Sequence, residues 1–415
     1  MRVMVLGAGV IGTTCAYYLA KAGHEVVVVE RHDGPALETS FANAGGICPG
    51  FAGPWAAPGM PAKVMRWLFA RHAPLALRPQ LDLHQWRWLA QFLRNCDEAH
   101  FARNKARMQR IAHYSKRCLT GLRAETGIAF DHNAGGVLQL FRTDEELSAA
   151  EKSTRVLAQF GVAHRILDTA GVLAVEPALR TAAVTFAGGL HLPDDETGDC
   201  HAFTAALAEL LQRRGVTFRF GTEITRLIVE GGRVTGGATA ADTLRADAYV
   251  VALGSAAAAM LRPLGIDLPI YPVKGYSVTA DVDASVPAPR SSVMDEHFKV
   301  MITRMGTRVR AAGVAEVGGY DRSISRHGPD TVLASLRELF PQAAARADAK
   351  PWAGLRPMTP DGPPYLGATG IANLYINVGQ GSNGWTQACG CGRIVADAIS
   401  GRKPEIDMEG FGIDR

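Results

Sequence analysis

The first thirty residues combine a short apolar segment, a glycine motif, a helical pattern and a second apolar segment. Residues 3–6 run directly into Gly7-Ala8-Gly9-Val10-Ile11-Gly12, which matches G-x-G-x-x-G. Apolar residues then recur at helical spacing as far as Gly23, and residues 25–30 read as a second strand that ends in an acid. This order predicts a parallel β-α-β unit that binds a dinucleotide.

Each position of the glycine motif has a physical role. Gly7 permits the tight turn, Gly9 lets a pyrophosphate approach the backbone, and Gly12 lets the helix pack closely on the strand. Glu30 follows at the spacing expected of an acid that binds ribose hydroxyls. The acid argues against a 2′-phosphate on the cofactor, but it does not separate NAD from FAD.

Three further segments favour FAD. Residues 40–47 form a small, polar, glycine-rich loop after the second strand, where a nicotinamide enzyme usually has another βα unit. Residues 373–378 read as a strand, followed by a glycine loop at 379–386 and a helix, and residues 248–255 read as a strand that ends in glycine. The predicted cofactor-binding residues are Gly7, Gly9, Val10, Ile11, Gly12, Glu30, Arg31, Ser40, Asn43, Ala44, Gly45, Gly46, Ile47, Gly254, Gly379, Gly381, Ser382, Asn383, Gly384, Trp385 and Thr386.

Composition bounds the remaining classes. The chain has 415 residues, 47% hydrophobic and 20% charged, which predicts a globular protein of two or three domains. A net charge of only +4 argues against nucleic acid as the main partner. No apolar run is long enough for a membrane-spanning helix, and no secretory signal peptide is evident. The seven cysteines are scattered, which fits a reducing compartment better than a disulfide framework. We therefore expect a cytoplasmic protein.

Several long motifs resemble one family over nearly the whole chain. The segments are 38–45 (ETSFANAG), 54–59 (PWAAPG), 192–200 (LPDDETGDC), 271–276 (YPVKGY) and 354–362 (GLRPMTPDG). Together with the glycine loops they resemble the FAD-dependent D-amino acid dehydrogenases of small-subunit type, within the D-amino acid, glycine and sarcosine oxidase superfamily.

The resemblance implies a Rossmann-type α/β domain that binds FAD and an α+β substrate domain with an antiparallel sheet. The implied FAD-binding segments are 1–52, 198–258 and 352–415, and the substrate-binding segments are 53–197 and 259–351. The implied reaction oxidises a D-amino acid to an imino acid, which water converts to a 2-oxo acid and ammonia. Electrons would pass to a quinone or respiratory chain; an oxidase and a non-catalytic flavoprotein subunit remain alternatives.

Some residues depart from the pattern of typical members. Gly46 and Cys48 replace Gln and Ser, Phe298 replaces a Tyr, and Gln380, Ser382, Asn383 and Cys391 also differ. Several of these positions are expected near the flavin or substrate. A cyclic imino acid, D-proline or a hydroxy-D-proline, is therefore an alternative substrate.

The resemblance also assigns roles at the substrate. Arg356, in its G-x-R-P context, is expected to bind the substrate carboxylate through its planar fork, the alternative being a surface pair with Asp361. Tyr276 either hydrogen-bonds substrate or packs in a sheet, and Lys274 either approaches the flavin or is solvated. Relatives with covalent flavin carry a Cys where Gly354 stands, so we expect noncovalent FAD.

Two further clusters invite other interpretations. The acidic residues Asp194, Asp195, Glu196 and Asp199 beside His191 match no metal motif, and we expect Asp199 to cap a helix instead. Cys389 and Cys391 are expected to be structural. No metal is predicted.

Residues 55–117 are basic and aromatic, with four of the six tryptophans at 55, 67, 86 and 88. Basic residues with interfacial aromatics suit an anionic membrane surface, but they equally suit a helical lid over the active site. Both interpretations stay open at this point. The basic residues between positions 63 and 117 are Lys63, Arg66, Arg71, Arg78, Arg87, Arg94, Arg103, Lys105, Arg107, Arg110, Lys116 and Arg117.

Overall fold

A computed structural model describes residues 1–67, 72–346 and 351–415. Arg71 and the rest of 68–71, within the basic aromatic segment, lie outside the described residues. The strands are β1 (Arg2–Leu6), β2 (Glu25–Val29), β3 (Gly46–Ile47), β4 (Leu75–Leu77), β5 (Val137–Phe141), β6 (Arg165–Asp168), β7 (Gly188–Leu192), β8 (Glu196–Thr197), β9 (Thr217–Arg219), β10 (Arg226–Glu230), β11 (Arg233–Ala238), β12 (Thr243–Leu244), β13 (Ala248–Val251), β14 (Tyr271–Asp281), β15 (Ser292–Asp295), β16 (Val300–Met305), β17 (Arg308–Val317), β18 (Trp352–Met358), β19 (Tyr365–Ala368) and β20 (Leu374–Val378). The α-helices are α1 (Val10–Lys21), α2 (Met60–Trp67), α3 (Leu83–Arg94), α4 (Glu98–Thr126), α5 (Asp144–Gln159), α6 (Thr169–Val175), α7 (Cys200–Arg213), α8 (Ala257–Leu261), α9 (His327–Leu339), α10 (Pro341–Ala345) and α11 (Gly384–Ile399).

Six of these strands form a sheet in the order β19-β20-β13-β1-β2-β9. All pairings are parallel except β19 with β20. Alternate residues of β1 face opposite sides: Val3 and Val5 pack with α1, α7 and α11, whereas Met4 and Leu6 pack with α8 and β10–β11. Burial on both faces explains why the strands are continuous apolar runs.

A second sheet follows the order β18-β14-β17-β16-β15-β5-β7-β6, with β4 paired to β17. Most of its pairings are antiparallel; β15 with β5 and β17 with β4 are parallel. Helix α9 covers one face of this sheet by burying Val332, Leu336 and Leu339 against Val278 and Ile302. The expected fold class, an α/β part beside an α+β part with an antiparallel sheet, is confirmed.

The long helix α4 packs against α11 beside the parallel sheet. Asp97 accepts a hydrogen bond from the backbone of His100 at its start, and Gly127 ends it with a φ of 64°. Its buried side chains include Ile111 and Leu119, which share a core with α11. Across the described ranges, none of the helices is long and apolar enough to span a bilayer.

Candidate active site

A cavity of about 1400 Å³ lies where both glycine loops meet the second sheet. One side is lined by residues 7–11 and 381–386, and the other by β14, β17 and β18. Helices α2 and α3 also line it, so the lid interpretation of the basic aromatic segment agrees with their position. The volume exceeds the roughly 300–1,000 Å³ of a pocket for one drug-sized ligand.

The first glycine loop ends against the N-terminus of α1. Gly7 has a φ of +104°, and its N–H donates to the carbonyl of Val29 at 2.8 Å. A Cβ on Gly12 would lie 1.9 Å from the carbonyl oxygen of Gly7, so the helix can approach the strand only with glycine there. Gly9 is the N-cap of α1 and lines the cavity, so the positive end of the helix dipole faces this space.

Glu30 lies at the end of β2 on the wall of the same cavity. Its carboxylate accepts from the backbone N–H of Ala8 at 2.8 Å and of His32 at 3.0 Å. The acid is therefore fixed beside the glycine loop, as the sequence spacing predicts. Arg31 also lines the cavity and forms an ion pair with Glu38.

The loop at 43–46 is held by its carbonyl groups. The Asn43 and Ala44 carbonyls accept from Arg310 at 3.3 Å and from the Thr303 hydroxyl at 2.8 Å, both on the second sheet. The Gly45 carbonyl accepts from a backbone N–H at 2.9 Å, and that of Gly46 accepts from the first turn of α11 at 3.3 Å. Four separate elements thus fix four successive peptide units against the cavity.

The C-terminal glycine loop leads into α11, as predicted. Gly384 begins the helix, and Trp385 and Thr386 line the cavity from its first turn. The Trp385 ring packs against Phe203 at 4.6 Å between centroids, and its indole N–H donates to the Gly198 carbonyl at 3.2 Å. A second helix N-terminus therefore faces the cavity.

Most of the predicted cofactor-binding residues line this one cavity. The exceptions are Gly12, Ile47 and Gly379, which lie behind its wall. Gly12 carries the helix–strand contact described above, and Ile47 is fully buried in the core beneath α11. Gly379 has a φ of +81°, and a Cβ there would lie 2.8 Å from Thr359.

Arg356 on β18 places a guanidinium at the cavity wall. It lies over Gly275, where a Cβ would come within 2.3 Å of the guanidinium, and 5.8 Å from the Trp55 ring centroid. It donates to the carbonyl of Val314 at 3.0 Å and more weakly to that of Lys274 at 3.3 Å. Among the described residues, no carboxylate lies within 4.0 Å of it.

The alternative surface pair with Asp361 is absent, because Asp361 binds Arg415 at 3.1 Å. Burial lowers the pKa of Arg356 to about 10, so the group stays charged at neutral pH. A partly buried cation that faces a cavity and lacks a carboxylate can bind an anion.

Tyr276 and Lys274 lie on β14 with their polar atoms engaged elsewhere. The Tyr276 hydroxyl donates to Glu316 at 2.7 Å, while its ring contributes to the cavity wall. The Lys274 amine binds Glu316 at 3.0 Å and Asp321 at 3.2 Å, and it is not among the lining residues. The structure thus brings Arg356 and the Tyr276 ring to the cavity and leaves the Lys274 amine in a buried ion-pair network.

The two clusters set aside in the sequence carry no metal site. In the described ranges, no group of three or more His, Cys, Asp or Glu side chains could hold a metal ion. Asp199 caps α7 by accepting from the backbone of His201 at 2.9 Å, as predicted. Cys389 and Cys391 are buried, and burial raises the pKa of both thiols well above its usual range.

Sequence reasoning gave no individual role to two lining residues, Trp55 and Lys105. Trp55 appeared within a motif and as one of four tryptophans of the basic aromatic segment, and Lys105 only as one of many cations in that segment. A single lysine in an amphipathic helix carries no sequence signal that separates it from a solvated one. Its position at the cavity comes from the packing of α4 against residues 49–53, where Gln109 binds the carbonyls of Pro49 and Ala52 and Lys105 lies on Gly53.

Comparison with known proteins decides the family. The sequence model described as FAD dependent oxidoreductase matches residues 2–398. The chain belongs to this family. A D-amino acid dehydrogenase of Bradyrhizobium diazoefficiens is 52% identical over 415 residues, covering 100% of this chain and 99% of that protein. A D-amino acid dehydrogenase of Methylobacterium sp. strain 4-46 is 55% identical over 412 residues, covering 99% and 98%.

Solved structures agree on the fold of this FAD-dependent oxidoreductase. Glycine oxidase from Geobacillus kaustophilus superposes with a TM-score of 0.77 at 24% identity, covering 100% of this chain and 99% of that one. L-Proline dehydrogenase from P. horikoshii superposes with a TM-score of 0.75 at 20% identity, covering 99% and 96%. The resemblance stated from the sequence motifs, the enzyme class and FAD as cofactor are confirmed.

The cavity fits FAD on features of its own. Two helix N-termini face it, and they would supply backbone N–H groups and partial positive charge to a pyrophosphate and to an electron-accepting ring. Gly9 has only the Ser40 hydroxyl, at 3.4 Å, near the position of an added Cβ, so its open side faces the cavity. Glu30 stands where a ribose would need an acceptor.

Proposed function

We propose that this FAD-dependent oxidoreductase oxidises D-amino acids to 2-oxo acids and ammonia, and that it passes the electrons to a quinone or another respiratory-chain acceptor. The observation that carries the proposal is the Arg356 guanidinium, which lines the cavity, is charged at neutral pH and has no carboxylate partner within the described residues. The names of the relatives that are 52% and 55% identical support the same substrate class.

Arg356 would bind the carboxylate of the amino acid. Backbone carbonyls of Lys274 and Val314 accept from both N–H groups of Nη1 and fix the plane of the guanidinium. A carboxylate would therefore bind at the edge formed by Nη2 and Nε. The Trp55 ring lies against the guanidinium and limits the space beside it. The pocket around Trp55 also contains Phe51 and Phe101, which suits an apolar amino-acid side chain.

FAD, when bound, supplies the two-electron acceptor for the Cα–H bond of the substrate. The protein's part is to hold the substrate against it, exclude water and keep the α-amino group correctly protonated. Tyr276 would contribute its ring to the wall, because its hydroxyl already binds Glu316. Lys274 would act from behind the wall by keeping that glutamate and Asp321 in place.

We assign the predicted cofactor-binding residues to parts of the dinucleotide according to their positions along the cavity wall. Residues 7–12 with Glu30 would hold the pyrophosphate and adenosine ribose, and residues 40–47 with 379–386 would hold the flavin end.

We propose noncovalent attachment. A Cβ on Gly354 would lie 2.1 Å from the Trp352 ring, so this position has no room for a linking side chain. Acid precipitation should therefore release all the flavin into the supernatant.

We also propose the division into FAD-binding segments 1–52, 198–258 and 352–415 and substrate-binding segments 53–197 and 259–351, with one adjustment. Strand β18 pairs with β14 along its length, so the last boundary is better placed after Met358. The six strands of the parallel-type sheet then all fall within the FAD-binding segments.

The test is an anaerobic screen of D-amino acids, their L-enantiomers, D-proline and a hydroxy-D-proline against the purified flavoprotein. Loss of the 450 nm flavin absorbance measures reduction by each compound. We expect bleaching by D-amino acids and not by the L-enantiomers. A preference for the cyclic compounds would select the alternative substrate class, and no bleaching by any of them would reject the proposal.

We further propose a peripheral contact with an anionic membrane surface, from the cytoplasmic side, through α2 and α3. Large apolar side chains stand in solvent there: Met65 is 57% exposed, Leu83 87%, Trp86 48% and Leu93 55%. Met65, Trp86 and Leu93 line the cavity, and the exposed Arg87, which also pairs with Asp267, lies on the same helix as Leu83, Trp86 and Leu93. Apolar side chains flanked by cations suit the boundary between headgroups and acyl chains, where a quinone is reached.

Flotation with liposomes tests this contact. Wild-type protein should float with vesicles that contain phosphatidylglycerol at low salt, and Leu83→Glu should stay at the bottom of the gradient. Exposed charges are screened over about 3 Å at 1 M salt, so binding should weaken there. A matched substitution remote from the patch, Leu37→Glu, should float like wild type; failure of wild type to float would reject the contact.

A further inference from the structure

Lys105 brings a second unpaired cation to the cavity. It lies on α4 at the cavity wall, and its side chain is partly buried. Within the described residues, its amine has neither a hydrogen bond nor a carboxylate within 4.0 Å. A partly buried lysine loses hydration, and without a partner that loss is not compensated, which points to a ligand or a chemical role.

The Lys105 amine and the Arg356 guanidinium approach neighbouring residues of one short segment. A Cβ placed on Gly53 would be 3.1 Å from the Lys105 Nζ, so the amine rests directly on that glycine. Two residues further along the chain, Trp55 lies 5.8 Å from the guanidinium. Lys105 and Arg356 therefore approach the same short segment, and Gly53, Pro54 and Trp55 all line the cavity with them.

We propose that the Lys105 amine takes a proton from the ammonium group of the amino acid whose carboxylate Arg356 binds. This inference rests on the proposed function. One N–H bond of the substrate ammonium breaks, one N–H bond forms at Nζ, and the electron pair stays on the substrate nitrogen. No oxidation occurs in this step, and the substrate is left as the neutral amine whose Cα–H bond is then oxidised.

The surroundings suit a proton acceptor. Burial lowers the pKa of Lys105 to about 8, so a useful fraction of the amine is neutral near pH 8. The negative charge of Asp195 partly opposes this effect, because it raises the pKa of Lys105. One Asp195 carboxylate oxygen accepts from the Gly50 N–H at 2.9 Å. Other charged or titratable groups near this pair include His113 and Lys116 on α4, Asp194 beside Asp195, and Cys48 with Glu196.

A second chemistry is possible for the same residue. A charged Lys105 would bind a second carboxylate, which would select acidic D-amino acids. The lining argues for the first chemistry, because Phe51 and Trp55 flank Gly53 in the chain, Phe101 precedes Lys105 by one helical turn, and all three line the cavity. The two roles differ in what an arginine at position 105 would do, since arginine keeps the charge but does not lose its proton.

The experiment compares Lys105→Met and Lys105→Arg with wild type and with Lys403→Met, an exposed control remote from the cavity. The rate of anaerobic flavin reduction by D-alanine and by D-glutamate is measured from pH 6 to 10. At pH 7 we expect both Lys105 variants to react at least tenfold more slowly, and the deficit should close toward pH 10 as the free substrate loses its own proton.

A measurement without turnover accompanies the rates. In protein labelled with [ε-13C]lysine, the Lys105 signal is identified by its loss in Lys105→Met. It should titrate near pH 8 and move to the protonated position when 2-aminoisobutyrate binds, since this amino acid has no Cα hydrogen to be oxidised. Flavin content and thermal unfolding check that each variant is folded.

Several results would overturn the proposal. A wild-type rate in Lys105→Arg, or a loss in Lys105→Met confined to D-glutamate, would mark an anion-binding residue. A Lys105 signal that stays charged from pH 6 to 10 would exclude a neutral acceptor. If wild type is reduced by no D-amino acid, the proposed function fails first and this inference fails with it, whereas normal wild-type reduction with an unchanged pH profile in Lys105→Met rejects the inference alone.

Discussion

Replacing Arg356 tests the substrate site most directly. Arg356→Ala removes both the charge and the planar fork, and Arg356→Lys keeps a charge without the fork. Because the guanidinium has no carboxylate partner among the described residues, neither change leaves a buried acid unpaired. We therefore expect both variants to fold and to retain their flavin.

The size of the effect follows from the bonds that the fork would make. A hydrogen bond to a charged group contributes roughly 1.5–3 kcal/mol, and each ~1.4 kcal/mol is a factor of ten. Loss of the substrate carboxylate contact should lower the second-order rate of flavin reduction by about 10- to 100-fold in Arg356→Ala. Arg356→Lys should fall between this variant and wild type. Misplacement of the substrate would enlarge both losses.

The assay is stopped-flow bleaching of the flavin under anaerobic conditions, at D-amino acid concentrations far below saturation. Arg337→Ala is the matched control, because Arg337 is exposed on α9 and does not line the cavity. Flavin absorbance and thermal unfolding establish that each protein is folded and loaded. A wild-type rate in folded, flavin-loaded Arg356→Ala would refute the assignment of Arg356 and remove the main structural reason for placing an amino acid in this cavity.

Three other substitutions test neighbouring parts of the argument. Gly275→Ala should slow flavin reduction without loss of flavin, since its Cβ would come within 2.3 Å of the Arg356 guanidinium and displace it; wild-type kinetics would contradict this. Gly9→Val should yield folded, colourless protein, whereas Gly12→Ala should lower the melting temperature as well, because its Cβ would lie 1.9 Å from a backbone oxygen; absorbance and calorimetry separate the two. Burial raises the pKa of Asp195 to about 7 from 3.8, so its contribution to stability is lost as pH rises between these values. Asp195→Asn should therefore stabilise the protein at pH 8 and have little effect near pH 4, and equal changes in melting temperature at both pH values would exclude this cause.

The parallel sheet could be predicted from the sequence because its signals are local. The run at residues 3–12 places a strand, a turn with positive φ and a helix start within ten positions, and each requirement is visible in one residue type. The C-terminal strand and glycine loop follow the same logic, and Asp199 is a helix cap that one residue type and its position reveal. These features can be predicted because they depend on neighbouring residues in the chain and not on contacts between distant segments.

The second sheet and the orientation of its side chains depend on contacts distant in sequence. Lys274 and Arg356 are both cations in strands, and the sequence alone does not show which of them faces a ligand. Folding separates them: Glu316 and Asp321 neutralise Lys274, whereas the glycine at 275 leaves room for Arg356 to lie along the sheet toward the cavity. The pairing register of β14 with β17 and β18 determines that Lys274 meets carboxylates and that Arg356 does not.

The loop at 43–46 explains how segments far apart in the chain come to form one site. Its four carbonyls are bound by β17, β16, the turn before α7 and the start of α11. Every one of these donors belongs to an element that also lines or borders the cavity, so the loop cannot be placed correctly until both sheets are in contact. If this loop holds the flavin as proposed, separation of the sheets would break these hydrogen bonds and thereby couple cofactor binding to the packing of the substrate sheet. The same coupling fixes Arg356 relative to the cofactor site, because β18 joins β14 and β17 on the sheet that holds the loop.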